Sequence, residues 1–228
     1  MLNTSLHEKN MRLVLKSVFS DKIGQFLAFK GGTLAYFCFE LDRFSTDIDL
    51  DLIDSEQEQV VINAMREILL RLGDVKNETL GRNLHRRIYR YDEKNWNIKV
   101  ELNKRELTGN DYKIQTIENT SIRCMTRETS VAHKLLALSE RFYNRDLYDV
   151  HFFFKNKFPF KEDIIQDRSG KSSRELIRKL VSELPKHFTE NSVLAGLGDV
   201  LTDKQKARVK PHLLRETIGL LKQYIKEK

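Results

Sequence analysis

The chain has 228 residues, of which 40% are hydrophobic and 32% charged, and it carries a formal net charge of +7. That is apolar material for one large core or two small ones. No apolar run approaches the ~18 residues of a membrane span, MLNTSLHEKN lacks the pattern of a signal peptide, and Cys38 and Cys124 have no CxxC partner, so the expectation is a cytoplasmic protein with two buried thiols, no zinc site and no disulfide.

In chain order, the apolar spacing predicts a helix over 5–20 with Leu6, Met11, Leu13, Val14, Leu15 and Val18 as its apolar set. A short strand over 25–29 runs into Gly31-Gly32, and a buried helix from Thr33 to Leu41 follows. Residues 46–53 alternate, with Ile48, Leu50 and Leu52 on one face and Asp47, Asp49 and Asp51 on the other. An amphipathic helix over 55–72, with Val60, Ile62, Met65, Ile68, Leu69 and Leu72 as its apolar set, ends at Gly73. Strands follow over 75–81, 86–92 and 97–103, the last two as a hairpin turning near 92–95, then a short strand over 121–125. Beyond it come helices over 127–140, 145–156, 172–185 and 203–227, with Pro211 kinking or breaking the last. The chain therefore reads as an α+β half over 1–120, with a small mixed β-sheet flanked by helices, and a helical half over 121–228.

The excess positive charge is uneven: residues 160–228 carry 15 Lys/Arg against 10 Asp/Glu, and residues 1–159 carry 25 against 23. A basic C-terminal third suits a polyanion such as RNA, or simply a solvated helical surface.

Two aspartates at i and i+2 of a strand share a face, about 6–7 Å apart along the backbone. Hard dications take carboxylate oxygens, and paired metals sit roughly 3.5–4 Å apart in phosphoryl-transfer sites. Asp47 and Asp49 are therefore metal-ligand candidates, and Asp51 extends the same face. Lys99, Glu101 and Asn103 share one face of their strand; if that strand neighbours 46–53, Glu101 completes a three-carboxylate cluster whose self-repulsion a dication relieves. The plain alternative is Glu101 paired with Lys99 or Arg105 on an exposed sheet. Lys30-Gly31-Gly32-Thr33 offers main-chain N–H groups and a helix start to a phosphate, with the Thr33 hydroxyl near the cap. Arg43 can reach a phosphate with its fork. Ser45 precedes Asp47 by two, and phosphorylating it would set negative charge beside the carboxylates and shut the site. Lys134 lies on an apolar helix stretch and needs an acidic partner, which Asp146 or Asp149 can provide. Arg82, Arg86, Arg87, Arg90 and Lys94, with Tyr89, Tyr91 and Trp96, form a basic–aromatic hairpin able to bind RNA or to be an ordinary strand pair.

Gly31-Gly32-Thr33 followed by Arg43-Phe44-Ser45-Thr46-Asp47-Ile48-Asp49-Leu50 resembles the signature of the AbiEii/AbiGii-type nucleotidyltransferase toxins of type IV toxin–antitoxin, abortive-infection systems, within the DNA polymerase β-like superfamily. Val100-Glu101-Leu102-Asn103, Val131-Ala132-His133-Lys134 and Arg145-Asp146-Leu147-Tyr148-Asp149 continue the resemblance in order. It implies a nucleotidyltransferase core followed by a C-terminal helical domain, with the active site in a cleft. It implies that Asp47, Asp49 and Glu101 hold Mg²⁺ (or Mn²⁺), that Lys134 contacts the phosphates of an NTP, and that Asp146 is essential. It implies NMP transfer to an RNA acceptor, the 3′ end of tRNA, with release of pyrophosphate, and a cognate antitoxin. A protein or small-molecule acceptor, and a non-catalytic nucleotide- or RNA-binding module, are the competing readings.

Overall fold

A computed structural model describes residues 2–92, 96–105 and 108–227. The chain divides into two compact units, Met1–Glu40 with Phe44–Thr126, and Leu41–Arg43 with Arg127–Lys228.

The first unit holds, in order, α1 (Thr4–Ser20), β1 (Leu27–Lys30), α2 (Gly31–Cys38), β2 (Asp47–Leu52), α3 (Glu58–Leu72), β3 (Asp74–Leu80), β4 (Leu84–Arg90), β5 (Asn97–Asn103), β6 (Tyr112–Ile117) and β7 (Thr120–Met125). The seven strands form one mixed sheet in the order β3-β4-β5-β2-β1-β7-β6. The β2–β5 and β1–β7 pairs are parallel and the others antiparallel. The central strands carry the core: Leu27, Ala28 and Phe29 of β1 and Ile48 and Leu50 of β2 are fully buried. The edge strands β3 and β6 are largely exposed and polar, which blunts pairing with other chains.

β6 is the strand that periodicity misses, because YKIQTI carries few buried positions to signal it. The strand expected at 121–125 is β7 and lies in the sheet, so the first unit runs to Thr126 rather than to 120. The turn expected near 92–95 falls largely on residues outside those described.

Two helix stripes keep most of the expected residues and differ at a few positions, Leu72 among them being only half-buried. α1 buries His7, Met11, Val14, Leu15 and Val18, leaving Leu6 and Leu13 exposed. α3 buries Val61, Ile62, Met65, Ile68 and Leu69, leaving Val60 outside. In both, the observed set keeps the i, i+3/i+4 spacing that Leu6, Leu13 and Val60 break.

The second unit contains α4 (Arg127–Arg141), α5 (Asn144–Lys155), α6 (Glu162–Ser169), α7 (Ser173–His187), α8 (Asp203–Val209) and α9 (Leu213–Glu227). Capping boxes start two of them, Ser172 with Glu175 at α7 and Thr202 with Gln205 at α8. The helix expected over 203–227 is broken between α8 and α9, where Pro211 sits. α6 is too short to show a clear period. Cys124 is buried, Cys38 only half-buried, and both are free. Among the described residues no helix is long and apolar enough to cross a membrane.

Candidate active site

The parallel β2–β5 pair sets Asp47 beside Lys99 and Asp49 beside Glu101. Alternation turns Asp47, Asp49, Lys99 and Glu101 to one face and Ile48, Leu50, Val100 and Leu102 to the core. The condition placed on Glu101, that its strand neighbour β2, is thus met. The carboxylates do not stand bare. Lys99 Nζ lies 2.8 Å from Asp47 Oδ2 and 3.6 Å from Glu101 Oε1, and Arg86 Nε donates to Glu101 Oε1 at 2.6 Å from the adjacent β4. Burial works against the Lys99 ammonium, but Asp47, then Glu101 and Asp49, outweigh it and raise its pKa. Arg105 is not the partner of Glu101; Arg86 takes that place.

Among the described residues, no three His, Cys, Asp or Glu side chains already converge as a metal cage. The donor chemistry nonetheless fits a hard dication: oxygen ligands in register on two adjacent strands, with a cationic head group standing among them.

β1 ends directly in α2, and Lys30 pairs with Asp49 across the β1–β2 ladder. Gly31 adopts φ +81°, and a Cβ there would lie 2.1 Å from Asp49 Oδ2. The glycine is therefore required twice, for the left-handed turn into the helix and for the carboxylate packed against it. Thr33, expected to offer its hydroxyl at the helix cap, instead points inward and is fully buried. Its hydroxyl donates to the Asp47 main-chain carbonyl and lies 2.9 Å from the Ser45 hydroxyl. The helix cap is Lys30, with no side-chain cap bond. Thr33 and the buried Ser45 thus brace the start of β2 from behind.

Asp51 is not a spare ligand. It is buried, ion-paired with Lys30, and accepts from Asn103 Nδ2 at 2.7 Å and from the Tyr112 hydroxyl at 3.0 Å. Lys30 is thereby tied down at the end of β1, and its ammonium belongs to this buried network.

A brace missed in the sequence is His7. Its Nε2 is 2.9 Å from the Thr46 carbonyl and its Nδ1 2.8 Å from the Tyr91 hydroxyl. A carbonyl only accepts, so Nε2 carries the hydrogen and Nδ1 accepts from Tyr91. Burial lowers the His7 pKa and keeps the ring neutral. The legible signal was a polar residue in phase with Met11, Val14, Leu15 and Val18.

Three residues of the basic–aromatic hairpin, Arg87, Arg90 and Tyr89, are engaged within the fold. Arg87 is buried and donates to Glu78 and to the Ile62 carbonyl, Arg90 pairs with Asp74, and buried Tyr89 donates to the Leu72 carbonyl. Arg82 is exposed, and Lys94 lies outside the described residues.

In the second unit, α4 and α5 face each other through charge. Lys134 Nζ lies 2.6 Å from Asp149 Oδ2 and 3.0 Å from Asp146 Oδ1. Both aspartates serve one ammonium, as i, i+3 neighbours on a helix can. Arg43 is 3% exposed and closes its fork on Asp149, Nε to Oδ1 at 2.6 Å and Nη2 to Oδ2 at 2.8 Å. The fork expected to meet a phosphate is here engaged by a carboxylate. Arg141 Nε donates to Asp146 Oδ2 at 2.7 Å. Burial disfavours the Lys134 ammonium, yet Asp149 and Asp146 raise its pKa. Burial disfavours the Asp146 carboxylate too, yet Lys134 and Arg141 pull its pKa down. Lys134 and Asp146 are both held in their charged forms.

The first unit thus joins a glycine-led helix start to an Asp-x-Asp strand, with a third carboxylate in register on the parallel neighbour. The chain belongs to the AbiEii nucleotidyl transferase toxin family of type IV toxin–antitoxin systems, whose family model matches residues 14–216. Among solved structures, JHP933 from Helicobacter pylori is similar at 21% identity and a TM-score of 0.63, over 100% of this chain and 94% of that one. A second H. pylori chain, provisionally named a nucleotidyltransferase, is similar at 21% identity and a TM-score of 0.64, over 100% and 97%. An antigenic nucleotidyltransferase-like protein from Paracoccidioides brasiliensis is similar at 14% identity and a TM-score of 0.51, over 83% and 94%. No curated protein matches.

Proposed function

We propose that this nucleotidyltransferase toxin is metal-dependent and transfers NMP from an NTP to an RNA acceptor, the 3′ end of tRNA, releasing pyrophosphate. The observation that carries the reading is the register of Asp47, Asp49 and Glu101 on adjacent parallel strands with a cation lodged among them. Asp47, Asp49 and Glu101 would hold Mg²⁺ or Mn²⁺, which when bound supplies charge neutralisation at the α-phosphate and at the leaving pyrophosphate.

The chain's own residues do the rest. The Gly31 and Gly32 N–H groups, at the start of α2, bind phosphate oxygen. Thr33, Ser45 and His7 hold the backbone from which Asp47 and Asp49 project. Lys134, its charge secured by two aspartates, is the phosphate-binding cation that family resemblance assigns, and Arg43 positions Asp149 rather than touching substrate. The acceptor hydroxyl attacks the α-phosphorus in line and gives up its proton to solvent, the α–β anhydride bond breaks, and its electrons leave with pyrophosphate.

RNA is supported by the basic excess of residues 160–228, and family membership implies a cognate antitoxin. Total RNA incubated with each α-labelled NTP and Mg²⁺ tests the reading. Label in a tRNA-sized band with the parent chain, absent with Asp47→Ala/Asp49→Ala, is expected. A folded, NTP-binding chain that labels no RNA would refute the RNA acceptor and favour a protein or small molecule.

A further inference from the structure

Lys99 stands in the carboxylate cluster that the metal would need. Its ammonium is 2.8 Å from Asp47 Oδ2 and 3.6 Å from Glu101 Oε1, and its position opposite Asp47 is fixed by the β2–β5 register. Mg²⁺ binds its oxygens at about 2.1 Å, so a dication on Asp47 Oδ2 would repel the ammonium now hydrogen-bonded to that oxygen. Of the two cations at the cluster, Arg86 reaches Glu101 alone, whereas Lys99 bridges both carboxylates. A lysine head group is a point charge on a four-carbon flexible stem and can swing, whereas a guanidinium fork cannot follow as readily. Lys99 is also partly exposed, with 32% of its side chain open to solvent.

We infer that Lys99 is an exchangeable counter-ion: it neutralises Asp47 and Glu101 until metal enters, and then transfers its ammonium to the triphosphate of the incoming nucleotide. The inference rests on the metal-dependent reading above and adds a substrate-binding residue to it. Once metal neutralises the carboxylates, the triphosphate is the strongest anion the freed ammonium meets. The exchange keeps the face close to charge balance at each stage, so the cluster need not be preformed as a cage.

A lysine that exchanges has opposite effects on two ligands. Removing it with Lys99→Met should tighten Mn²⁺, measured alone by electron paramagnetic resonance, by about tenfold, and weaken an α,β-methylene NTP, measured with Mn²⁺ saturating, by about tenfold, taking each effect as roughly one charge interaction of a pKa unit. A residue of purely structural use would weaken both. Lys99→Arg, which keeps the charge, should bind Mn²⁺ no more tightly than the parent chain. It also serves as the second variant if the methionine chain melts far below its parent. Unchanged or weaker Mn²⁺ binding in Lys99→Met overturns the proposal. Tighter Mn²⁺ with unchanged nucleotide overturns the transfer to the triphosphate. If neither parent nor Lys99→Met binds Mn²⁺ at millimolar concentration, the metal-dependent reading itself fails, an outcome distinct from the other two.

Discussion

Gly31→Ala is the sharpest test of how the first unit is built. At φ +81° an L-residue costs about 1–2 kcal/mol. The new methyl would lie 2.1 Å from Asp49 Oδ2, 2.8 Å from Cγ and 2.9 Å from Cβ. Asp49 cannot retreat as a unit, because its backbone is laddered to Lys30 on one side and Glu101 on the other. The side chain must therefore leave its rotamer, for about a further 0.5–1.5 kcal/mol. The expected total is about 1.5–3.5 kcal/mol, or a melting-temperature drop of roughly 3–14 °C for a chain of this size. Displacing the Asp49 carboxylate by about 1 Å should cost on the order of 100-fold in transfer rate. Gly170→Ala is the matched control: Gly170 has φ +65° but nothing within 4 Å of the added carbon. It should lose about 1 kcal/mol and none of the rate. Label-transfer rates measured well below both melting temperatures decide the matter. A folded Gly31→Ala chain with parental rate would refute the claim that this glycine exists to seat Asp49.

Three further outcomes follow from the contacts. Asp149→Ala strands two cations, Arg43 and Lys134, beside a fully buried site, and should cost about 3–5 kcal/mol, read by urea denaturation; Asp146→Ala should cost less, because Arg141 is half-exposed and can turn to water. Stability should fall on acidification below pH ~6.5, because His7, His85 and His151 have pKa values lowered chiefly by burial. The unfolded chain then takes up protons that the folded chain refuses, at up to about 1.4 kcal/mol per pH unit for each ring until its folded pKa is reached, and His7→Gln should flatten that slope in a melting series between pH 7.5 and 5. Ser45→Glu would press a carboxylate into the buried space beside Thr33 and behind Asp47, so transfer should be abolished and melting lowered; parental activity would dismiss phosphorylation of Ser45 as an off-switch.

Much of the fold was legible because its signals are local. The alternation of 46–53 and 97–103 gave β2 and β5 and their acidic face, and Gly31-Gly32 marked the turn into α2. What stayed hidden depends on pairing between distant segments. Thr33 looks like a cap residue in sequence, and only the fold shows its hydroxyl turned onto the Asp47 carbonyl. Arg43 looks like a free cation before the Asp-x-Asp, yet Leu41–Arg43 packs with the helical unit and the fork closes on Asp149, 106 positions away. β6 was lost because an exposed edge strand has no apolar alternation to show.

The two units hold their charge clusters in opposite ways. In the second, Lys134 sits against two aspartates that are themselves held by Arg43 and Arg141. Each partner is buried or braced, so the cation is fixed in place and its charge is secure. In the first, Asp47 and Glu101 lean on the half-exposed Lys99 and Arg86, two side chains that can move without breaking the core. A charge meant to persist through a reaction is best locked by buried partners. A charge meant to change partners is best left with mobile ones. On that logic the carboxylates of β2 and β5 are held by side chains that can leave them, and the α4–α5 network keeps Lys134 charged and in place.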